Sequence, residues 1–268
     1  MTEAVIAGIG VCAPGMLDWG VAASVLRGGC AWRHERLPKL DVPMLPAAER
    51  RRVSPAARLA ITAASQAMAP WPADRRASIA SVFATADGDG QVLASTLQTL
   101  AQDAAAMSPT LFHNSVFNAP AGYWTIASQS RARSTTVSAG PGTFAAGMLE
   151  AAMEIHVTKA AVLLVAADMP FPPSLATFGV TGEAFACALL LAPAGDAPAH
   201  GLGTLGIALR EGDAVPDDVR IDAGIAAAFK GNPASLALPL LAIIATGAAA
   251  VVDVPYLDGC RVEIAYAP

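Results

Sequence analysis

Thr136-Val137-Ser138-Ala139-Gly140-Pro141-Gly142-Thr143-Phe144-Ala145-Ala146-Gly147-Met148-Leu149-Glu150-Ala151-Ala152-Met153-Glu154-Ile155 changes character a third of the way along. A β-branched run stops at a Gly-Pro-Gly turn, and a helical pattern opens at Thr143. Junctions of this kind present a reactive group at a helix N-terminus, where the dipole favours negative charge. The turn nevertheless holds no cysteine, histidine, aspartate or lysine. Ser138 is the nearest hydroxyl, but a serine nucleophile needs an adjacent base and an oxyanion hole. No G-x-S-x-G frame surrounds it. The expectation is a nucleophile geometry without a nucleophile.

Outward from the turn, apolar runs alternate with helical segments. Strands are expected at Val5–Val11, Ser78–Thr85, Ser134–Ser138, Ala160–Ala167, Phe185–Leu191 and Leu205–Arg210. Helices are expected at Leu17–Leu26, from Ser54-Pro55 to Met68, at Val92–Ala104, from Asn118 to Ser128 and at Thr143–His156. Serine at an N-cap followed by proline at N1 fixes the start of the second of these. Near-continuous apolar strands alternating with helices predict an α/β fold with a mostly parallel sheet, covered on both faces. Pro38–Pro46 and Ala192–Gly203 read as loops. With 268 residues, 54% of them apolar, the chain can bury a large core as one large domain or two small ones.

Several function classes are disfavoured. A net charge of −5 gives a nucleic-acid surface no support. Glu49-Arg50-Arg51-Arg52, the one basic cluster, reads as a solvated start to a helix, with a patch for an anionic partner as the other reading. Cys12, Cys30, Cys187 and Cys260 are scattered, which fits a reducing, cytoplasmic setting and indicates neither disulfide frame nor zinc site. The N-terminus lacks the cationic region of a signal peptide. Leu236 to Val252 is seventeen residues without a charge, close to membrane-spanning length. Pro239 and Gly247 divide it, so a buried helix ending near Thr246 and a strand at Ala249–Val254 are expected instead.

The remaining motifs are weak. Gly8-Ile9-Gly10 lacks the third glycine of a dinucleotide fingerprint, since position 13 is Ala13. His34, His113, His156 and His200 have no metal-ligand spacing, and His156 complements a helix C-terminus. His113, in an aromatic polar segment, is the best candidate base for a rival reading as an acyltransferase or thioester hydrolase using Ser138 or His113. Asp87 and Asp89 read as loop solvation. No cofactor or metal is expected.

Together these pieces resemble the amino-terminal half of a β-ketoacyl synthase. Val5-Ile6-Ala7-Gly8-Ile9-Gly10-Val11-Cys12-Ala13-Pro14-Gly15 is similar to that family's first strand and turn. Trp19 and Leu26-Arg27-Gly28-Gly29 resemble the following helix and its end, and Val162–Ala167 the strand after the nucleophile helix. Gly182-Glu183-Ala184-Phe185-Ala186-Cys187-Ala188-Leu189-Leu190-Leu191 resembles the family's G-E-G-A-G-x-L-x-L-E strand. The resemblance implies a single thiolase-like domain over residues 1–268, with a complete first half at 1–192 and a shortened second half at 193–268. It places the nucleophilic cysteine at the Ala139, Gly140, Pro141, Gly142 turn, which is degenerate here. Lys230-Gly231-Asn232-Pro233 resembles a remnant of the family's K-x-x-x-G-H turn, with Asn232 near one missing histidine.

Ser115-Val116-Phe117-Asn118-Ala119-Pro120-Ala121-Gly122-Tyr123-Trp124 resembles the chain-length-factor subunits of aryl-polyene and type II polyketide ketosynthases. The implied protein is non-catalytic and pairs with an active ketosynthase, meeting acyl carrier protein through that partner. Ser134, Thr135, Thr136 and Val137 would be the dimer strand, being free of charged gatekeepers; an internal strand paired on both sides is the plainer alternative. Phe112, Val116 and Phe117 would line the end of an acyl tunnel, or else pack in the core.

Overall fold

A computed structural model describes residues 1–103, 106–196, 201–215 and 219–268. His200, the Ala104 end of the expected Val92–Ala104 helix, and part of the Ala192–Gly203 loop lie outside the described residues.

Among the described residues eight strands form one sheet, in the order β3-β2-β4-β5-β1-β6-β8-β7. They are β1 (Thr2–Cys12), β2 (Ala80–Ala84), β3 (Ser134–Val137), β4 (Val162–Asp168), β5 (Phe185–Ala192), β6 (Thr204–Glu211), β7 (Ala250–Pro255) and β8 (Cys260–Ala267). Only β2 pairs in parallel, with β3 on one side and β4 on the other. The other five pairings are antiparallel, so the expected mostly parallel sheet is corrected to a mixed one. An uninterrupted apolar run reports burial of both faces and carries no information on strand direction.

Helices cover both faces. On one lie α3 (Pro55–Met68) and α6 (Ala119–Ser128), whose apolar sides share a core with Leu163, Val165 and Leu190 of the sheet. The Ser54 hydroxyl accepts from Ala57 N at 3.3 Å and Pro55 takes the first turn, as the sequence dictates. Gly8 and Gly10 explain why β1 carries glycines: a Cβ there would stand 2.1 Å from Ala67 O and 1.9 Å from Ala63 O of α3. The Gly8-Ile9-Gly10 motif is thus a seat for a helix, in keeping with its poor match to a nucleotide loop.

The other face holds α1 (Trp19–Leu26), α7 (Thr143–Thr158) and α9 (Leu238–Thr246). α7 packs against every strand. Eight flat strands would span roughly 34 Å, whereas sixteen helical residues reach about 24 Å. Tyr256, just past β7 at one edge, nonetheless abuts Gly142, just past β3 at the other. The sheet must therefore curl around α7.

The other α-helices among the described residues are α2 (Ala47–Arg52), α4 (Gly90–Gln102), α5 (Pro109–Ser115) and α8 (Ala223–Phe229). Arg50, Arg51 and Arg52 form the last turn of α2, Arg50 half-buried and Arg51 and Arg52 exposed. The uncharged run from Leu236 divides as expected, with Gly247 closing α9 at φ +68° before β7. No helix among the described residues is long and apolar enough to cross a membrane.

Candidate functional site

β3 delivers the turn to the C-terminal ends of β2 and β4, the position where parallel strands of an α/β sheet expose chemistry. Each turn residue is accounted for by backbone. Gly140 has φ +53°, a left-handed conformation that disfavours side chains. Gly142 is buried, and a Cβ on it would sit 2.2 Å from the carbonyl oxygen of Tyr256. Pro141 is exposed. The Ala139 amide donates to Thr143 Oγ1 at 3.0 Å, and that hydroxyl donates to Gly140 O at 2.7 Å. At Gly142 the space a side chain would need is crossed by main chain from the β7–β8 connection, whereas nothing lies within 4 Å of a Cβ built on Gly140.

Behind the turn lies a polar network. Ser138 Oγ donates to Ala86 O at 2.7 Å. Asp168, at the end of β4 and only 2% exposed, accepts at Oδ1 from Ala86 N (2.8 Å) and Thr85 Oγ1 (2.9 Å). Its Oδ2 is buried with no hydrogen-bond partner among the described residues. Burial pushes this carboxyl up to about 7, against the pull of the Ala86 and Thr85 donors. Asn232 is buried below it: Nδ2 donates to Asp168 O (3.1 Å) and Glu183 O (2.7 Å), and Oδ1 accepts from Ala234 N. Asn232 thus ties the second part of the chain to the ends of β4 and β5. Asp168 was invisible in the sequence as a site residue, since nothing beside it there foretells its burial.

Ser138 is exposed, and its hydroxyl is spent on a backbone carbonyl. His113 is exposed on α5, its ring edge-on to Tyr123 at 5.4 Å. No hydrogen bond joins the two among the described residues, so the structure does not assemble them into a nucleophile and base. His156 is exposed in the last turn of α7. Asp89 corrects the loop reading: Oδ1 accepts from Gln91 N and Val92 N and caps α4. Burial pushes the Cys12 and Cys187 thiols up to about 12, which leaves them unreactive. Among the described residues no group of three or more potential ligands could hold a metal.

β3 is an edge strand, which removes the alternative of a strand paired on both sides. Ser134 and Thr136 share a surface groove of about 490 Å³ with Phe117, Ala121 and Thr125. Val116 and Phe117 also flank a narrow internal cavity of about 20 Å³, beside Phe83, Val165 and Asp89. It is too small for an acyl chain. Phe112, Val116 and Phe117 are 65%, 44% and 37% exposed, so core packing does not explain them.

The curled sheet and its strand-turn-helix define a thiolase-like fold of the ketosynthase kind. A model of the beta-ketoacyl synthase N-terminal domain matches residues 27–210, and the chain belongs to that family. No curated protein matches the chain. Among solved structures it is similar to a ketosynthase (ApeO) in complex with its chain length factor (ApeC) from Xenorhabdus doucetiae, at 24% identity and a TM-score of 0.71, with 99% of each chain covered. The ishigamide ketosynthase/chain length factor matches at 15% identity and a TM-score of 0.74, again over 99% of both chains. A type II polyketide acyl carrier protein in complex with its ketosynthase matches at 13% and 0.79, over 99% of both. At these identities the likeness is one of fold.

Proposed function

We propose that the chain is a non-catalytic, chain-length-factor-like subunit that pairs with an active β-ketoacyl synthase and shapes the acyl tunnel during aryl-polyene, polyketide or fatty-acid-type chain elongation. On this reading it is a pseudoenzyme with a complete first thiolase half, residues 1–192, and a shortened second half, residues 193–268. The observation that supports it is the turn Ala139–Gly142, which holds no nucleophile and at whose Gly142 the Tyr256 carbonyl leaves no room for a side chain. β3 offers a partner its free backbone edge, and the groove beside Phe117 lies open along that edge. A partner strand laid on β3 would roof the groove and turn it into the end of a tunnel. Phe112, Val116 and Phe117 would then meet the growing chain, and acyl carrier protein would dock through the partner.

The test is direct. Alone, the chain should take up no acyl group from acyl carrier protein, as read by intact mass. Mixed with its ketosynthase it should form a one-to-one complex, in which Phe117→Ala lengthens the products. Acylation of the lone chain at a single residue would sink the proposal.

A further inference from the structure

A cleft of about 660 Å³ opens between residues 34–40, the start of α3, and the segments that follow β4 and precede β5. None of Ser138–Thr143, and none of Phe112, Val116 or Phe117, lines it. Its floor is apolar: Val53, Leu59 and Ala184 are buried there, with Leu37, Leu40 and Met169 half-buried around them. The volume lies within the range of small-molecule sites, roughly 300–1,000 Å³.

The charged groups at its mouth are unequal. Arg36, Lys39 and Arg58 face one carboxylate, Glu183, which is already held by His34 Nε2 at 3.0 Å. Arg58 donates from Nη1 to Leu40 O at 3.1 Å and from Nη2 to Arg50 O, so it clamps the 34–40 segment onto α3. Its positive charge remains at the cleft. Arg36 and Lys39 are exposed and have no ion-pair partner among the described residues.

We infer that this cleft is a ligand site in its own right, taking a slender apolar tail that ends in an anionic head, a carboxylate or a phosphate. The floor takes the tail by burial of methylenes, and the unpaired Arg36 and Lys39 receive the head. The site is independent of the proposed subunit role, because it shares no residue with the turn or the tunnel.

Titration calorimetry of the full chain with decanoate, below the concentration at which it forms micelles, tests the inference. Saturable one-to-one binding is expected, on the order of tenfold tighter than octanoate for two further buried methylenes. Decanol should bind at least about tenfold more weakly, because it has no charge to pair. A tighter decyl phosphate than decanoate would assign a phosphate-ended ligand, and the reverse a carboxylate; either supports the site. Arg36→Glu with Lys39→Glu, both at exposed positions, should weaken decanoate about tenfold and leave the melting temperature unchanged. Leu37→Asp should remove binding. Absence of saturable binding, equal affinity for decanol, or binding that survives the double substitution would overturn the inference, the last by assigning the ligand to another apolar surface.

Discussion

β7 and β3 end the same sheet in opposite ways. β7 carries Asp253, whose Oδ2 stands 2.9 Å from Arg261 Nε of β8, an ion-pair distance off the line of a hydrogen bond, and the strand stops at Pro255. β3 reads Ser-Thr-Thr-Val, with no charge and no proline. The nearest cation, Arg133, is turned back onto Glu150 and Glu154 of α7. Charge and proline are the ordinary means of keeping a free strand from pairing with another chain. One edge has both and the other has neither, so β3 is the less guarded of the two.

The largest expected effect tests the β3 end of the sheet through its buried carboxyl. The folded pKa of Asp168 is raised, from 3.8 to about 7, so its favourable contribution is full below about pH 4 and lost as pH rises through 7. At pH 8 the buried carboxylate costs up to about 4 kcal/mol relative to the unfolded chain. Asp168→Asn should remove that slope, so its stability relative to wild type should rise between pH 4.5 and pH 8 in urea unfolding. A difference flat with pH would mean the group ionises freely.

Gly142 is where the two ends of the sheet touch. Gly142→Ala should destabilise by about 3 kcal/mol, because backbone on both sides must move to admit a methyl group. Denaturant midpoints measure this, and a neutral result would show that the β7–β8 connection yields. For assembly, the carbonyls of Arg133 and Val137 accept from Ser81 N of β2 and from Thr85 N just past it, so Thr136 presents its amide outward. Thr136→Pro should weaken the proposed complex with a ketosynthase about a hundredfold, some 2.7 kcal/mol, while the lone chain keeps its fold. Undiminished association would move the interface away from β3. The smallest effect belongs to the guarded edge: Asp253→Val, which takes the carboxylate from a largely buried Arg261, should cost about 2 kcal/mol and produce concentration-dependent self-association in light scattering. A variant that stays monomeric would show that Pro255 alone suffices.

Local chemistry made much of this fold legible. Ser54-Pro55 placed the start of α3 to the residue, and the Gly-Pro-Gly turn placed the passage from β3 into α7. Strand direction was not legible, since burial on both faces looks alike in parallel and antiparallel pairs. β8 carries the alternating signal of a half-buried strand: Val262, Ile264 and Tyr266 point inward while Arg261 and Glu263 alternate with them. α5 carried none, being seven residues of mixed polar and aromatic character. At the site, the empty turn could be read because absence of a nucleophile is local. The Tyr256 carbonyl, the Asp168 network and the Asn232 clasp could not, because each joins segments far apart in sequence.

The central place of β1 has a consequence for synthesis. Its neighbours β5 and β6 begin at Phe185 and Thr204, so the first strand emerges about 170 residues before it can enter the sheet. At roughly 5–20 residues per second, that is a wait on the order of ten seconds or more for an apolar strand. α3 is made much sooner, and its Ala63 and Ala67 carbonyls lie directly against Gly8 and Gly10. Glycines that look in the finished molecule like a packing detail give the nascent chain an early cover for its stickiest segment.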